Sequence, residues 1–377
     1  MKAEGRIYRV GISGSYGGLN LGDEAILESI IAGLRSALPV EITVFSIKPE
    51  DTLHRHRVEH VTPVRELTRS EVRPVLEDLD LFILGGGGIL YDADVRTYLR
   101  EVDIAHDLGV PVMIYAVSAG PLKSQTAQKD VRLALGKAEV ITVRERGAKR
   151  ILEDAGVRCE IIVTADPALL LEPQPLPENT LIKERMDGPG RKVGISVREP
   201  GPAAPDIDFD FYHSLLANAA DYVIDRYGAG VVFVPMERGE RDMQHAHAVI
   251  ARTLRPQACS VVHGEYTAGQ MLTLMSHFDL ALGMRLHFLI FAALQGVPFV
   301  GLPYSTKVQY FLRELGVETP PLELVNAGRL IAHIDTVWDT REGIRDRVCE
   351  RLPEMKRRAL QNSEIAVSLL KRSGGKR

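Results

Sequence analysis

Cysteine is scarce in this chain. Only Cys159, Cys259 and Cys349 occur in 377 residues, far apart and without a CxxC pair. That argues against a disulfide framework and against a cysteine-built zinc site. Cys159 and Cys259 sit in or beside apolar strand-like runs and read as small core residues. No basic run is interleaved with aromatics, which make up 6% of residues, and the formal net charge is −4, so a nucleic-acid partner is not expected. No uninterrupted apolar run reaches the roughly 18 residues of a membrane span. The first residues, MKAEGRIYRVGISG, enter a strand without an apolar signal segment, and a cytoplasmic location is expected. Association with the inner face of a membrane, and pairing into a homodimer, stay open. His54/His56 and His245/His247 are His-x-His pairs, a spacing that turns two rings to different faces of a helix. Without an accompanying carboxylate cluster both pairs read as solvated, and neither a metal nor another cofactor is expected.

What the chain does have is the composition of a folded protein, 45% hydrophobic and 25% charged, over a length that suits two domains. Strand-like runs at Arg6–Ser13, Glu41–Ile47, Asp80–Leu84, Pro111–Val117, Val140–Val143 and Ile161–Val163 alternate with helical spacing, the pattern of a doubly wound sheet. A second such series starts at Lys192. Between them LEPQPLPEN (171–179) has three prolines in nine residues and no periodicity. The expected fold is therefore α/β, with two Rossmann-like domains facing across a cleft in the GT-B manner. Residues 1–172 would form the first, acceptor-side domain, 173–190 a linker, and 191–377 the second, donor-side domain with the C-terminal helices.

Small or polar residues recur at the carboxyl ends of the strands, where an open sheet keeps its site. The first such loop, Gly14 to Glu24, holds Asn20, Asp23 and Glu24. Its glycines do not give GxGxxG, and Lys48 ends the second strand where a ribose-binding acid would be wanted, so a dinucleotide is discounted. Four consecutive glycines, Gly85 to Gly88, leave a backbone that a ligand or a neighbouring segment can approach closely. Asp92 follows them, and Asp166 follows the strand at Ile161–Val163. In the second domain FDLALGMRLHFLIFAALQGVPFVGLPYSTKV (278–308) reads strand, turn, buried helix, strand. It places Arg285 and His287 at a helix start just past a strand end, where free N–H groups and the helix dipole collect anions. Ser305 would cap the next helix, whose first turn carries Lys307. Two cationic helix starts imply a pocket for a small, multiply charged anion.

GGLNLGDEAIL (17–27), GGGGILYD (85–92), VRERGAKR (143–150), TADPAL (164–169), GISVR (194–198) and GMRLHFLIFAALQGVP (283–298) together resemble the polysaccharide pyruvyltransferase family in its CsaB-type branch. The resemblance implies transfer of an enolpyruvyl unit from phosphoenolpyruvate to a sugar of a cell-surface polysaccharide or its lipid-linked precursor, giving a pyruvate ketal and phosphate. It implies donor binding by Arg198, Arg285 and His287. Guanidinium forks suit the carboxylate and phosphate of that donor, and Lys307 adds a point charge for the departing phosphate. His287 is the candidate acid for the vinyl carbon. Asp23, Glu24, Asp92 and Asp166 are candidates to bind the acceptor or take its hydroxyl proton, Asp166 foremost, with Asn20, Gly86 and Gly87 lining the same loops. YSTK at 304–307 stands where relatives often have Tyr-Asp-Pro-Lys, a departure that bears on the acceptor. The nearest alternative is a GT-B glycosyltransferase using a nucleotide sugar, which would need a ribose-binding carboxylate in the second domain; no clear one stands out, Glu265 and Asp279 being the candidates. A binding module without turnover is the alternative from another class.

Overall fold

Strands buried on both faces pair in parallel, and here every pairing between named strands is parallel. The computed structural model describes residues 6–64, 66–198, 208–237, 240–302, 306–317, 319 and 325–373. They form two units. The first comprises residues 1–18, 23–171 and 354–377; the second comprises 19–22 and 172–353.

The first unit holds β1 (Tyr8–Ser13), β2 (Val40–Ser46), β3 (His60–Pro63), β4 (Leu81–Leu90), β5 (Val112–Ala119), β6 (Val140–Val143) and β7 (Ile161–Val163). Their order in the sheet is β3-β2-β1-β4-β5-β6-β7. The second unit holds β8 (Lys192–Ser196), β9 (Gly230–Phe233), β10 (Cys259–Val261), β11 (Leu280–Gly283) and β12 (Phe299–Gly301), in the order β10-β9-β8-β11-β12. Each sheet thus starts in the middle, runs to one edge, and returns to continue on the other side. The two Rossmann-like units expected from the strand and helix alternation are present. In each, the reversal of direction makes a switch point, between β1 and β4 in the first unit and between β8 and β11 in the second.

Packing corrects several expectations. The glycine run does not follow its strand as a loop: β4 continues through it to Leu90. The helix Leu21–Ala37 lies so close that a Cβ on Gly86, whose φ is +39°, would stand 2.2 Å from Ile26 Cγ2. The glycines therefore admit a neighbouring helix, the second of the two uses the sequence allowed.

The proposed linker 173–190 is built into the second unit. Gln174 accepts from Thr267 Oγ1 at 2.5 Å, and Thr273 Oγ1 donates to the Gln174 carbonyl at 2.6 Å. The buried Glu184 accepts from the backbone N–H groups of His263 and Gly264 and from the Tyr266 hydroxyl. The C-terminal helix Arg341–Ser373 was assigned whole to the second domain, but from Glu354 onward it belongs to the first. Pro353, which cannot donate a helix hydrogen bond, marks the change. Asn362, fully buried, then ties the helix to the ends of β6 and β7 through Thr142 and Thr164.

The histidines and one cysteine also differ from expectation. His56 is buried, its Nε2 2.6 Å from Glu24 Oε2, while His245 shares a 2.9 Å hydrogen bond with His213 and stacks on Phe209. Their partners lie on other elements, which a local His-x-His spacing does not reveal. Cys159 is exposed. Among the described residues no helix is long and apolar enough to cross a membrane.

Candidate active site

In the second unit the switch point is built by register. Ser196, the last residue of β8, pairs with Gly283, the last of β11, and Met284 N donates to the Ser196 carbonyl at 3.2 Å. Arg198 and Arg285 each follow two residues later, so both arginines stand just past the carboxyl ends of adjacent strands. Arg285 occupies the position just before the helix Leu286–Leu294 and His287 lies in its first turn. The mean hydropathy of this helix leaves it no solvent face, and seven of its nine residues are buried. Lys307 is half-buried in the first turn of the helix Thr306–Leu315, while Ser305, the expected cap, lies outside the described residues.

Arg285 is buried, and its electrostatic partners were not foreseen. Its Nη2 donates to Glu237 Oε2 at 2.8 Å and to Asp242 Oδ1. Asp242 comes from the first turn of the helix Glu240–Ile250, and its other oxygen accepts from the backbone N–H groups of Met236 and Glu237, both at 3.1 Å. Burial, the largest single influence, pulls the Arg285 pKa down, but the charges and hydrogen bonds of Asp242 and then Glu237 together outweigh it, and the pKa rises above the ordinary arginine value. Arg285 is thus a permanent cation flanked by two carboxylates.

Two buried donors at this edge meet no acceptor among the described residues: Ser196 Oγ and Arg285 Nε. Buried polar groups are nearly always paired, so such a pair at a switch point makes this edge the candidate site of the second unit.

The stretch Leu19–Gly22 belongs to this unit. Leu21 N donates to the Met236 carbonyl at 2.8 Å, Asn20 bridges Glu237 in antiparallel fashion, and Asn20 Oδ1 accepts from Gly22 N. Asn20 therefore shapes its own turn. A Cβ added to Gly22 would stand 1.8 Å from His287 Nδ1. Gly22→Ala is expected to push the imidazole out of place, lowering turnover at least tenfold while the thermal midpoint moves by a few degrees. Full activity of the variant in a steady-state assay would show that the position of His287 does not matter.

In the first unit the carboxyl ends of β5, β6 and β7 carry a buried charged cluster. Arg144 Nη1 donates to Asp166 Oδ2 at 2.6 Å and Arg144 Nε to Glu145 Oε2 at 3.2 Å, while the Ser118 hydroxyl donates to Glu145 Oε1. Burial alone would depress the Arg144 pKa, yet Asp166 and Glu145 hold it above its ordinary value. Asp166 Oδ1 also accepts from Ala168 N, capping a short 3-10 turn. Arg144 thus holds one oxygen of Asp166 and a backbone amide the other.

The other nominated acids divide similarly. Both oxygens of Asp92 accept from backbone, Lys123 N at 2.9 Å and Ser124 N at 3.0 Å, which fixes the turn after β5. Glu24 is buried between Gly17 N and His56. Asp23 is half-buried and lies at the β1/β4 switch point, where a Cβ on Gly87 would be 3.1 Å from its Oδ1. Nearby Tyr16 is buried, its hydroxyl has no hydrogen-bond partner among the described residues, and burial, then Asp23 and Glu24, hold its pKa well above the ordinary value.

Sequence reasoning missed Arg144, Glu145, Tyr16, Glu237 and Asp242. Arg144-Glu145 stands directly after the apolar Val140–Val143, a signal that could have marked both. Asp242 gives no local signal. Asp279, weighed as a ribose-binding acid, sits at the amino end of β11 and accepts from Lys192 N, at the wrong end of the strand for that task.

Comparison with known proteins adds the following. The family model for polysaccharide pyruvyl transferase matches residues 20–306. The amylovoran biosynthesis protein AmsJ of Erwinia amylovora is 24% identical over 312 residues, covering 79% of this chain and 74% of that protein. Among solved structures, Anabaena HepE (Alr3699) in complex with UDP superposes with a TM-score of 0.67 at 14% identity, over 96% of this chain and 99% of the other. A UDP-GlcNAc 2-epimerase from Neisseria meningitidis bound to UDP-GlcNAc gives 0.64 at 12% identity, over 97% and 100%. At such identities these structures establish a shared GT-B-like fold.

Proposed function

Because the chain belongs to the polysaccharide pyruvyl transferase family, we propose that it transfers an enolpyruvyl unit from phosphoenolpyruvate to a sugar of a cell-surface polysaccharide or its lipid-linked precursor, leaving a pyruvate ketal and phosphate. The observation that carries this reading is the second unit's switch point, where Ser196 Oγ and Arg285 Nε are buried donors without acceptors, beside Arg198 and His287. A three-carbon frame bearing a carboxylate and a phosphate supplies the acceptors such donors need.

In the proposed reaction His287 gives a proton to the vinyl carbon, which becomes a methyl group and leaves the neighbouring carbon cationic. A sugar hydroxyl bonds to that carbon and loses its proton. The carbon–oxygen bond to phosphate then breaks with its electrons on phosphate, and a second hydroxyl closes the ketal. Two hydroxyl protons are released, one replacing that taken by the methyl group and one leaving on phosphate. Arg198, Arg285, Lys307 and Ser196 hold the donor. In the first unit, which takes the acceptor sugar, Asp23 is the carboxylate for a hydroxyl proton, and the Arg144–Asp166–Glu145 cluster keeps the loop ends rigid.

The test is phosphate release from phosphoenolpyruvate with a panel of hexose and N-acetylhexosamine acceptors, run beside nucleotide release from nucleotide sugars. Phosphate release dependent on an acceptor is expected, and nucleotide release in its place rejects the proposal in favour of a glycosyltransferase. His287→Ala is expected to lower kcat by roughly 100-fold or more with a smaller change in donor KM. Arg198→Ala is expected to raise donor KM about tenfold or more. The reverse pattern would exchange their roles.

A further inference from the structure

The two carboxylates on Arg285 run against the simplest design of an anion receptor. One guanidinium faces Asp242 and Glu237 through a single nitrogen, so the three charges sum to −1. Asp242 cannot swing away. Its side chain has no exposed surface, and its second oxygen is held by two backbone amides. Glu237 is one-third exposed, and its side chain bonds Arg285 alone among the described residues. A pocket that must bind a dianion and then release phosphate needs an attraction strong enough to capture and weak enough to let go.

We propose that Asp242 and Glu237 temper the Arg285 cation, setting the affinity of the second unit's switch point for phosphate-bearing anions so that product phosphate can leave. The proposal rests on the reading that this unit takes phosphoenolpyruvate. Asp242 does the larger share because it is fixed and fully desolvated, where a charge acts over distance with little screening. Glu237, reached by solvent, does less. A purely supporting role for the pair makes the opposite prediction. If the acids only hold the guanidinium in place, neutralising either one loosens it and anion binding weakens.

Glu237→Gln and Asp242→Asn in the full chain separate the two. Calorimetric titration with inorganic phosphate, and separately with phosphoenolpyruvate, is expected to show Kd falling about threefold for Glu237→Gln and about tenfold for Asp242→Asn. Inhibition of turnover by added phosphate should deepen by the same factors, with kcat reduced as release slows. Unchanged or weaker phosphate binding by a folded Glu237→Gln overturns the proposal, as does failure of both variants to bind phosphate at all. Should Asp242→Asn not fold, Glu237→Gln decides alone, since its side chain supports no backbone. An inactive wild type that still binds phosphate less tightly than the variants would retire the assignment of phosphoenolpyruvate and leave the charge-tempering standing.

Discussion

Arg144→Leu should lower the stability of the first unit by about 3–5 kcal/mol, the loss expected when one partner of a buried ion pair is removed. The side chain is almost wholly enclosed, and it is the cation common to Asp166 and Glu145. Leucine leaves both carboxylates in a place where water cannot solvate them. The loss should depend on pH in a defined direction. A buried carboxylate without its cation favours the protonated form, so its folded pKa rises above the unfolded value. The folded variant then binds more protons than the unfolded chain, and its stability falls as pH rises. The gap between wild type and variant, read from urea midpoints, is expected to be widest near neutral and alkaline pH and to narrow as pH drops toward the ordinary carboxylate range. A gap that ignores pH would mean that Arg144 acts through packing and not through charge.

The same residue shows where sequence reading stops. Arg144 and Glu145 were visible as charges after an apolar strand, but Asp166 lies 22 positions further on, and nothing local says that they meet. Asp242 is 43 positions from Arg285, and His56 is 32 from Glu24. Pairs of this kind are fixed by which strand ends the topology brings together. By contrast, what depends on local pattern was legible. The apolar helix after β11, with Arg285 and His287 at its start, follows from a strand, a glycine and an unbroken hydrophobic run. Arg198 was visible in the GISVR stretch that ends the first strand of the second unit. The register that sets Ser196 beside Gly283 gives those readings a common address at one switch point.

The strands themselves divide by burial. Central strands such as β5, eight buried residues in succession, announce themselves as apolar runs. The edge strand β3 was passed over, because HVTP is short, polar on its open side and ends in proline, as an edge strand can afford to. The glycine run was noticed, but its use was undecidable without the helix. The sequence shows that a close approach is allowed there, while Ile26 shows which neighbour takes it.

The C-terminal helix was the least legible element, and it carries the second large prediction. Asn362 is 220 positions from Thr142 and 198 from Thr164, yet its Oδ1 accepts from both hydroxyls, at 2.7 and 2.9 Å. Its Nδ2 donates to the carbonyls of Ala165 and Ala359. Thr142 Oγ1 in turn accepts from Ala116 N at 2.7 Å, where Ala116 has φ +48°, a left-handed conformation that a non-glycine residue keeps only when its surroundings hold it. One amide thus secures the ends of β6 and β7 and, through Thr142, the strained point in β5. Asn362→Leu keeps the volume but leaves two hydroxyls and a carbonyl buried without this partner, at about 1–3 kcal/mol for each group left unsatisfied, partly relieved by the second contacts that Thr142 and Thr164 make to Ile114 and Val143 carbonyls. A net loss of about 2–4 kcal/mol is expected. Hydrogen exchange should register it first at the amides of residues 114–117, 142–144 and 164–166, with the second unit's protection unchanged. Exchange that rises evenly through both units would show that Asn362 supports the whole chain and not this sheet edge, and a midpoint within about 0.5 kcal/mol of wild type would show that the helix docks through its apolar face without needing the amide.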